Sequence, residues 1–455
     1  MPEWKEVLDE ASQYAIRYLD ELPSRPVGSH ATIESLRATL DLPLPTRGTD
    51  ARQVIADLAR HADPGVVASS SGRFFGFVVG GATPAALAAD WLTSVWDQNA
   101  CLYVLGPAAA VVEDVARRWL AALLGLPAGV SCGFVTGAQM ATFTGLAVGL
   151  RAVLDRAGWN VPVDGLRGAP RVRVFAGQGR HGTIDRALRF LGLGTGSIVE
   201  VAMDDQGRML PSALRAALEV ANGPAIVCAQ AGNVNSGAFD PIGEICDLAH
   251  AHDAWVHVDG AFGLWAAASP RLRHLVAGVE RADSWATDAH KWLNVPYDSG
   301  LVFCADPAAH RAAMGARAGY LIHGADGERD ALDYGPEHSR RARGFAVYAA
   351  IRALGSDGVA ELVERCCELA ARFADRLKAS GKATILGEVV LNQVLVAFAD
   401  DATTRAVIER VQREGTCWMS GTTWQGRAAM RISVSNWSTT PEDVDRSVDA
   451  ILGCL

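Results

Sequence analysis

The pattern of apolar and polar positions divides the chain of 455 residues into three regions. Residues 1–80 show helical periodicity interrupted by proline-rich pieces, without alternating strands, which predicts an N-terminal helical arm. Between residues 81 and 345, short β-branched runs alternate with segments of helical period, the pattern of a large, mainly parallel α/β domain. Residues 346–455 combine a long helix pattern, two strand patterns and a closing helix, and they predict a small C-terminal α/β domain.

Seven segments have the composition and length of β-strands. They are residues 171–176, 225–229, 254–259, 284–288 and 300–304 in the large region and residues 388–398 and 430–434 in the small one. A helix pattern that starts near residue 242 follows Asp240 and Pro241, which fits an N-cap residue and a first-turn proline. Residues 321–343 are rich in Gly, Asp, Glu and Arg without either period, and they predict a long exposed loop.

Composition and charge exclude several classes of function. The 42 basic and 51 acidic residues give a net charge of −9 without a basic stripe, which argues against a nucleic-acid partner. The most apolar stretches are too short for a membrane span, and the charged N-terminus is unlike a signal peptide. The nine cysteines form no C-x-x-C pair and no zinc-type cluster with histidine. We therefore predict a cytoplasmic protein with reduced cysteines and no protein-bound metal.

Four candidate features lie where predicted strands end, and ligands of open parallel sheets bind beyond the C-terminal ends of strands. The turn Gly137-Ala138-Gln139 opens a helix pattern, and its backbone N–H groups suit a phosphate, although glycine turns before helices are common. Asp259 ends a strand pattern and is either a helix cap or the partner of a buried cation. These two features place candidate anion and cation partners at one sheet edge.

The other two features are a lysine and a histidine. Lys291 precedes an apolar run at residues 292–295, and partial desolvation would lower the pKa of its amine and favour nucleophilic or Schiff-base chemistry. Most lysines, however, are solvated surface groups. His181 follows the predicted strand 171–176 at a loop–helix junction, where a lone histidine is usually structural.

Taken together and in this order, the four features resemble the group II pyridoxal-5′-phosphate (PLP) decarboxylases, which include aromatic L-amino-acid decarboxylase and glutamate decarboxylase. The specific elements are AHKW at residues 289–292 and HVDGA at residues 257–261, and the resemblance extends over residues 73–358. It implies a fold-type I enzyme with a seven-stranded large domain, PLP as cofactor, and a homodimer in which the arm packs on the second subunit. The implied reaction is the α-decarboxylation of an L-amino acid to the amine and carbon dioxide.

The resemblance also implies roles for individual residues. Lys291 is the lysine that forms the Schiff base with PLP, Asp259 pairs with the pyridine nitrogen, and His181 stacks on the ring. A carboxylate beside the pyridine nitrogen keeps it protonated, so that the ring withdraws electrons from the substrate Cα. The further cofactor contacts are Gly137, Ala138 and Gln139 on the phosphate turn, His290 at the phosphate, Asn233 at the ring hydroxyl and Ala261 under the ring.

Tyr334, in the predicted loop, resembles a family tyrosine that returns a proton to Cα after carbon dioxide leaves, and a surface residue is the alternative. Relatives with phenylalanine in that loop perform oxidative deamination, so Tyr334 favours decarboxylation. The alternatives that stay open are aldehyde-forming oxidative deamination, carbon–carbon lysis or transamination on the same fold, and a non-catalytic relative. Trp91, Trp96 and residues 73–77 mildly favour an apolar or aromatic substrate, and dimer-interface packing explains them equally well.

Overall fold

The computed structural model describes residues 4–319, 321–324 and 328–455. Its large sheet consists of β1 (Ser131–Val135), β2 (Arg173–Gly177), β3 (Ile198–Val201), β4 (Ala225–Gln230), β5 (Trp255–Asp259), β6 (Ser284–Asp288) and β7 (Gly300–Cys304). The strands lie in the order β1-β7-β6-β5-β4-β2-β3. Strand β7 is antiparallel to both of its neighbours, and all other neighbouring strands are parallel. This arrangement confirms the predicted mainly parallel α/β fold.

The direction of the strands creates one edge where five loops meet. Because β1 and β6 both run antiparallel to β7, they run in the same direction as each other, and β2, β4 and β5 share that direction. The ends of these five strands therefore lie along one side of the sheet, which we call the C-terminal edge. Ligands of open parallel sheets bind at such an edge.

Fourteen helices accompany the sheets in the described part of the chain. They are α1 (Trp4–Glu21), α2 (Ile33–Leu40), α3 (Ala51–Ala62), α4 (Pro84–Trp96), α5 (Pro107–Leu123), α6 (Ala138–Arg156), α7 (Val161–Asp164), α8 (Gly182–Phe190), α9 (Pro211–Glu219), α10 (Ile242–His250), α11 (Pro307–Met314), α12 (Gly344–Ala379), α13 (Asp401–Glu414) and α14 (Pro441–Gly453).

Both faces of the large sheet are buried. Alternate residues of a strand belong to different cores: Phe175 and Val227 lie in one apolar cluster, and Val174 and Ile226 lie in the other. Strands covered on both faces read as continuous apolar runs, which explains why these segments were recognisable in the sequence.

A second sheet of four antiparallel strands forms near the C-terminus. It contains β8 (Thr384–Ile385), β9 (Gln393–Ala397), β10 (Ser420–Trp424) and β11 (Arg427–Ser433), in the order β10-β11-β9-β8. Helix α12 precedes it and is kinked at Gly355, whose φ of +67° suits a residue without a Cβ. The two sheets lie within the predicted regions 81–345 and 346–455, and the domain boundaries themselves stay a prediction.

The N-terminal helices expose apolar side chains. None of the residues of α1, α2 and α3 is buried. Trp4, Ile33 and Leu58 are 82%, 65% and 54% exposed, respectively. Across residues 4–319, 321–324 and 328–455, no helix has both the length and the hydrophobicity that crossing a membrane requires. The arm therefore has an apolar surface that its own chain does not cover.

The predicted N-cap at Asp240 is wrong. Helix α10 begins at Ile242 with Pro241 as its N-cap residue. The Asp240 carboxylate instead accepts hydrogen bonds of 2.7 Å from the backbone N–H groups of Met209 and Gln230. Burial raises the pKa of Asp240 to about 6. Asp240 thus joins the end of β4 to the segment before α9, because buried amide donors require an acceptor.

The predicted long exposed loop at residues 321–343 is also wrong over its described second half. A 3₁₀ helix forms at Ala331–Tyr334, and Leu332 and Arg340 are buried. The Asp330 carboxylate accepts a 2.9 Å hydrogen bond from the backbone N–H of Tyr103. The many charges of this segment do not keep it in solvent, because they pair with partners elsewhere in the fold.

Candidate active site

Lys291 lies directly beyond β6 at the C-terminal edge. Its Nζ is 3.0 Å from Oδ2 of Asp288, and the lysine side chain is 21% exposed. The other oxygen, Oδ1 of Asp288, accepts a 2.6 Å hydrogen bond from the backbone N–H of Ala138, the first residue of α6. The predicted phosphate turn and the predicted Schiff-base lysine are therefore joined by one buried carboxylate. Sequence reasoning missed the role of Asp288, although its place at a strand end three residues before Lys291 was a usable signal.

His290 completes this cluster. Its Nδ1 accepts a 3.1 Å hydrogen bond from the backbone N–H of Ser299, so the ring proton lies on Nε2, which is 3.4 Å from Oδ1 of Asp288. Burial lowers the pKa of His290, and the positive charge of Lys291 lowers it further, while the charge of Asp288 acts in the opposite direction. The ring of Tyr297 stacks on His290 with 4.2 Å between centroids. His290 is therefore a neutral hydrogen-bond donor at this place.

Close backbone contacts around Lys291 require glycine. A Cβ on Gly80 would lie 1.8 Å from the carbonyl oxygen of Lys291, and a Cβ on Gly300 would lie 2.4 Å from the Cα of Gly137. A Cβ on Gly137 would come within 3.2 Å of Cε1 of His290. The three glycines thus leave the helix N-terminus, the lysine and the segment before α4 in direct contact.

Asp259 and Ala261 lie beside this cluster on the neighbouring strand. Asp259 ends β5 and is 7% exposed, and its Oδ1 accepts a 3.2 Å hydrogen bond from the backbone N–H of Ala261. The carbonyl of Ala261 accepts a 3.0 Å hydrogen bond from the backbone N–H of Asp288. The HVDGA and AHKW elements, separate in sequence, are therefore held together at the C-terminal edge.

The other predicted cofactor contacts lie on the loops that follow β1, β2 and β4. They are His181, Gln139 and Asn233. His181 is the exposed N-cap residue of α8, and its Nδ1 is 3.0 Å from Oγ1 of Thr183. Gln139 donates a 3.3 Å hydrogen bond to the carbonyl of Thr183, which ties α6 to α8. Asn233 is buried and donates a 3.3 Å hydrogen bond to the carbonyl of Gly179. The structure thus brings the loops that follow β1, β2 and β4 together.

Tyr334 is the exception among the predicted site residues. Its ring packs under the guanidinium of Arg329, 4.7 Å from the centroid, and edge-on against His310, while its hydroxyl accepts a 3.3 Å hydrogen bond from Arg311. His310 is bonded to Ser131, the first residue of β1. This end of β1 lies about 13 Å from the C-terminal edge at about 3.3 Å per residue. The structure therefore does not bring Tyr334 to Lys291 within the chain, because the aromatic ring finds cationic and histidine partners elsewhere.

Arg431 is a second residue that the sequence analysis missed. It lies on β11, is 9% exposed, and donates a 3.3 Å hydrogen bond from Nη1 to the carbonyl of Val234, next to Asn233. Its Nε has no hydrogen-bond partner, and among the described residues no carboxylate forms an ion pair with it. Burial lowers the pKa of Arg431. A buried guanidinium with free donors is suited to an anionic ligand. An arginine inside the apolar run of a predicted strand was the signal.

The residues that were predicted to line a substrate pocket have structural contacts. Arg73 donates hydrogen bonds to the carbonyls of Arg25 and Thr416, which ties the arm to the small domain. Trp96 packs edge-on against Phe345. These contacts lie within one chain, so they carry no argument for an aromatic substrate and do not test dimer-interface packing.

The donor set fits PLP. The N-terminus of the 19-residue helix α6 offers backbone N–H groups and a positive dipole end to a phosphate. Lys291 provides an amine, Asp259 a buried carboxylate for a ring nitrogen, and His181 an exposed aromatic ring, all at one edge. In the described part of the chain, no three His, Cys, Asp or Glu side chains are grouped to hold a metal ion.

Comparisons with known proteins agree with this site. The model of the pyridoxal-dependent decarboxylase conserved domain matches residues 34–399. The aromatic-L-amino-acid decarboxylase of Bacillus atrophaeus is 27% identical, over 96% of this chain and 92% of the relative. The L-2,4-diaminobutyrate decarboxylase of Rhizobium meliloti (strain 1021) is 29% identical, over 93% of this chain and 86% of the relative.

The fold matches solved structures equally well. The crystal structure of Oryza sativa TDC with PLP and tryptamine superimposes with a TM-score of 0.92 at 25% identity, covering 99% of this chain and 97% of that chain. The resemblance found in the AHKW and HVDGA elements is thereby confirmed over most of the sequence. This chain belongs to the pyridoxal-dependent decarboxylase family.

Proposed function

We propose that this protein removes the α-carboxylate of an L-amino acid as carbon dioxide and releases the amine, with PLP bound to Lys291. The observation that carries the proposal is the contact chain from Nζ of Lys291 through Asp288 to the first amide of α6. It supports an amine and a phosphate-type anion site on one connected surface. When bound, PLP supplies an electron sink for the electron pair that the departing carboxylate leaves behind.

The residues of the chain divide the remaining work. Lys291 supplies the amine that holds the cofactor, and it must lose its proton before it can act as a nucleophile. Asp259, buried at the end of β5, keeps a proton at the pyridine nitrogen by charge pairing. His181, at the start of α8, would contact the ring face. The side chain of Asn233 is held in position by its hydrogen bonds with Gly179 and Asn235.

Arg431 is proposed to bind a carboxylate of the substrate. Its guanidinium is buried beside the Asn233 loop and has unused donors, and a charged hydrogen-bond pair in a dry site is stronger than one in water. A carboxylate held there would fix the orientation of the amino acid relative to Lys291. Orientation is a large part of catalysis, because it replaces the entropy cost of a productive encounter.

We further propose a homodimer and a cytoplasmic location. The exposed apolar side chains of α1, α2 and α3 support a second copy as the partner of the arm, because a monomer rarely leaves such a surface uncovered. All nine cysteines are free, and seven are buried, which supports a reducing compartment. Light scattering of the full-length protein should give twice the chain mass of 48.1 kDa, and a mass of one chain would refute the dimer.

The test of the reaction is product identification. The purified protein, loaded with PLP, is incubated with a pool of L-amino acids, and products are separated by mass. One amine with equimolar carbon dioxide is expected, and Lys291→Ala should form none. An aldehyde with ammonia and peroxide would assign oxidative deamination instead, and a keto acid would assign transamination.

A further inference from the structure

The carboxylate of Asp288 lies at the turn where the cofactor phosphate is proposed to bind. Its Oδ1 accepts the backbone N–H of Ala138 at 2.6 Å, and its Oδ2 lies 3.0 Å from Nζ of Lys291. The side chain is 4% exposed. Asp288 thus holds the first amide of α6 and the amine that reacts with PLP at the same time.

A carboxylate and a phosphate at one helix N-terminus repel each other. The helix end favours one anion, and two like charges at hydrogen-bond distance oppose each other more strongly in a buried site than in water. Among the described residues, the basic side chains within 4.0 Å of Asp288 are Lys291 and His290. His290 is neutral, so Lys291 alone supplies a positive charge to Asp288. A phosphate at the same turn would add a second negative charge without adding a base beside Asp288.

We propose that Asp288 weakens the hold of this chain on the phosphate of PLP and keeps the cofactor exchangeable. The proposal rests on the proposed function and on the placement of the phosphate at Gly137, Ala138 and Gln139. Asparagine at position 288 would keep the shape and the hydrogen bond from Ala138, and it would remove the negative charge that repels the phosphate. The native chain therefore exchanges its cofactor faster than the asparagine variant would.

The experiment compares two ligands and two proteins. The apo forms of the native protein and of Asp288→Asn are titrated with PLP and with pyridoxal, which has the aldehyde but no phosphate, and binding is followed by cofactor absorbance. Any effect on the amine of Lys291 changes both affinities alike, so the ratio of the two dissociation constants isolates the phosphate. We expect the preference for PLP over pyridoxal to rise at least tenfold in Asp288→Asn, with slower release of PLP. An equal preference in both proteins would overturn the proposal.

Two further variants separate the possible failures. Gly137→Val narrows the turn, since even a Cβ there lies 3.2 Å from Cε1 of His290, and it should weaken PLP without affecting pyridoxal. If Gly137→Val leaves both affinities unchanged, the phosphate lies elsewhere, and the placement fails rather than the role of the charge. If Asp288→Asn does not fold, Asp288→Ser also removes the charge, and the same tenfold criterion then decides.

Discussion

Two groups of charged side chains lie toward opposite ends of β1, and only one of them has a group that is accessible to a ligand. At the C-terminal edge, Lys291 is paired with Asp288 but is 21% exposed. Near the first residues of β1, the side chain of Glu113 is 1% exposed. Its carboxylate accepts hydrogen bonds of 2.6 and 2.8 Å from Arg340 and one of 2.9 Å from Arg329. The second group is saturated with partners, so it stabilises the fold, whereas the first can react.

The presence of a surface cavity does not distinguish the reactive group from the structural one. A cavity of about 730 Å³ lies beside the saturated group, and its lining includes Arg117, Arg311 and Tyr334. Two of its acidic residues already form ion pairs: Asp114 pairs with Arg117, and Asp333 pairs with Arg317. The comparison teaches that the accessibility and incomplete pairing of a group, rather than its charge or the size of a nearby cavity, mark the reactive end of the sheet.

The largest expected effect is that of Lys291→Ala. Decarboxylation should fall at least about a thousandfold, because the residue that binds the cofactor covalently acts as part of a unit. The amine product is measured by mass. Lys382→Ala, which removes an exposed lysine, is the matched control and should retain full activity. A Lys291→Ala protein that keeps more than a tenth of the rate would contradict the role of the C-terminal edge.

Glu113→Gln tests the saturated end. Removing one partner of a buried ion pair leaves Arg329 and Arg340 uncompensated, so the free energy of unfolding should fall by about 3–5 kcal/mol. Urea denaturation measures the loss, and Glu409→Gln on the exposed face of α13 is the control. The rate per folded molecule should stay within twofold. A large loss of rate without a loss of stability would mean that this end takes part in catalysis.

Two buried neutral histidines, His257 and His310, also contribute to the stability of the fold. Burial lowers the pKa of His257 and of His310 to about 3. The unfolded chain binds protons near pH 6.5, so the stability from each neutral histidine is complete above that pH and decreases as the pH falls toward 3. Between pH 6.5 and 5 each should cost about 2 kcal/mol, measured by urea denaturation. His310→Asn, which can keep the hydrogen bond to Ser131, should remove about half of this pH dependence, and an unchanged dependence would contradict the assignment.

Arg431→Gln separates substrate binding from cofactor binding. We expect KM to rise at least about tenfold with a smaller change in kcat, because a charged hydrogen bond to the substrate is worth about 1.5–3 kcal/mol. The absorbance of bound PLP should not change. Arg427→Gln, an exposed position on the same strand, is the control. An unchanged KM together with a lower affinity for PLP would mean that Arg431 binds the cofactor and not the substrate.

The smallest effect is expected for Tyr334→Phe. The hydroxyl of Tyr334 is hydrogen-bonded to Arg311 and does not contact Lys291. The rate should therefore change less than twofold, and the product should remain the amine. Formation of an aldehyde by this variant would restore the proton-returning role that the sequence implied.

The sequence predicts the fold well where both faces of a strand are buried. Segments such as 284–288 and 300–304 coincide with β6 and β7, because strands that are covered on both faces read as apolar runs. Strands β3, β8 and β10 escaped prediction, since they are short or half-exposed and their composition is mixed. Strand β1 escaped although it is buried, because its first three residues, Ser, Cys and Gly, are not β-branched or aromatic. The segment 321–343 was misjudged because charge pairing across the fold is invisible in a local pattern.

The site was predictable as far as its motifs extend. AHKW and HVDGA located Lys291, His290 and Asp259, and the structure brings their loops to one edge. Asp288 and Arg431 were missed because their importance depends on what surrounds them. Asp288 contacts an amide of α6, and Arg431 has no carboxylate partner among the residues that the structure describes. Tyr334 was assigned from its place in a loop, and only the packing of its ring shows where the hydroxyl lies.

The most direct test of the central claim is to locate the cofactor chemically. The PLP-loaded protein is reduced with borohydride, digested and analysed by peptide mass, with the exposed Lys382 as an internal comparison. A single phosphopyridoxyl group on the peptide that contains Lys291 is the predicted result. The same group on any other lysine, or no fixed cofactor in a protein that still forms the amine, would contradict the account.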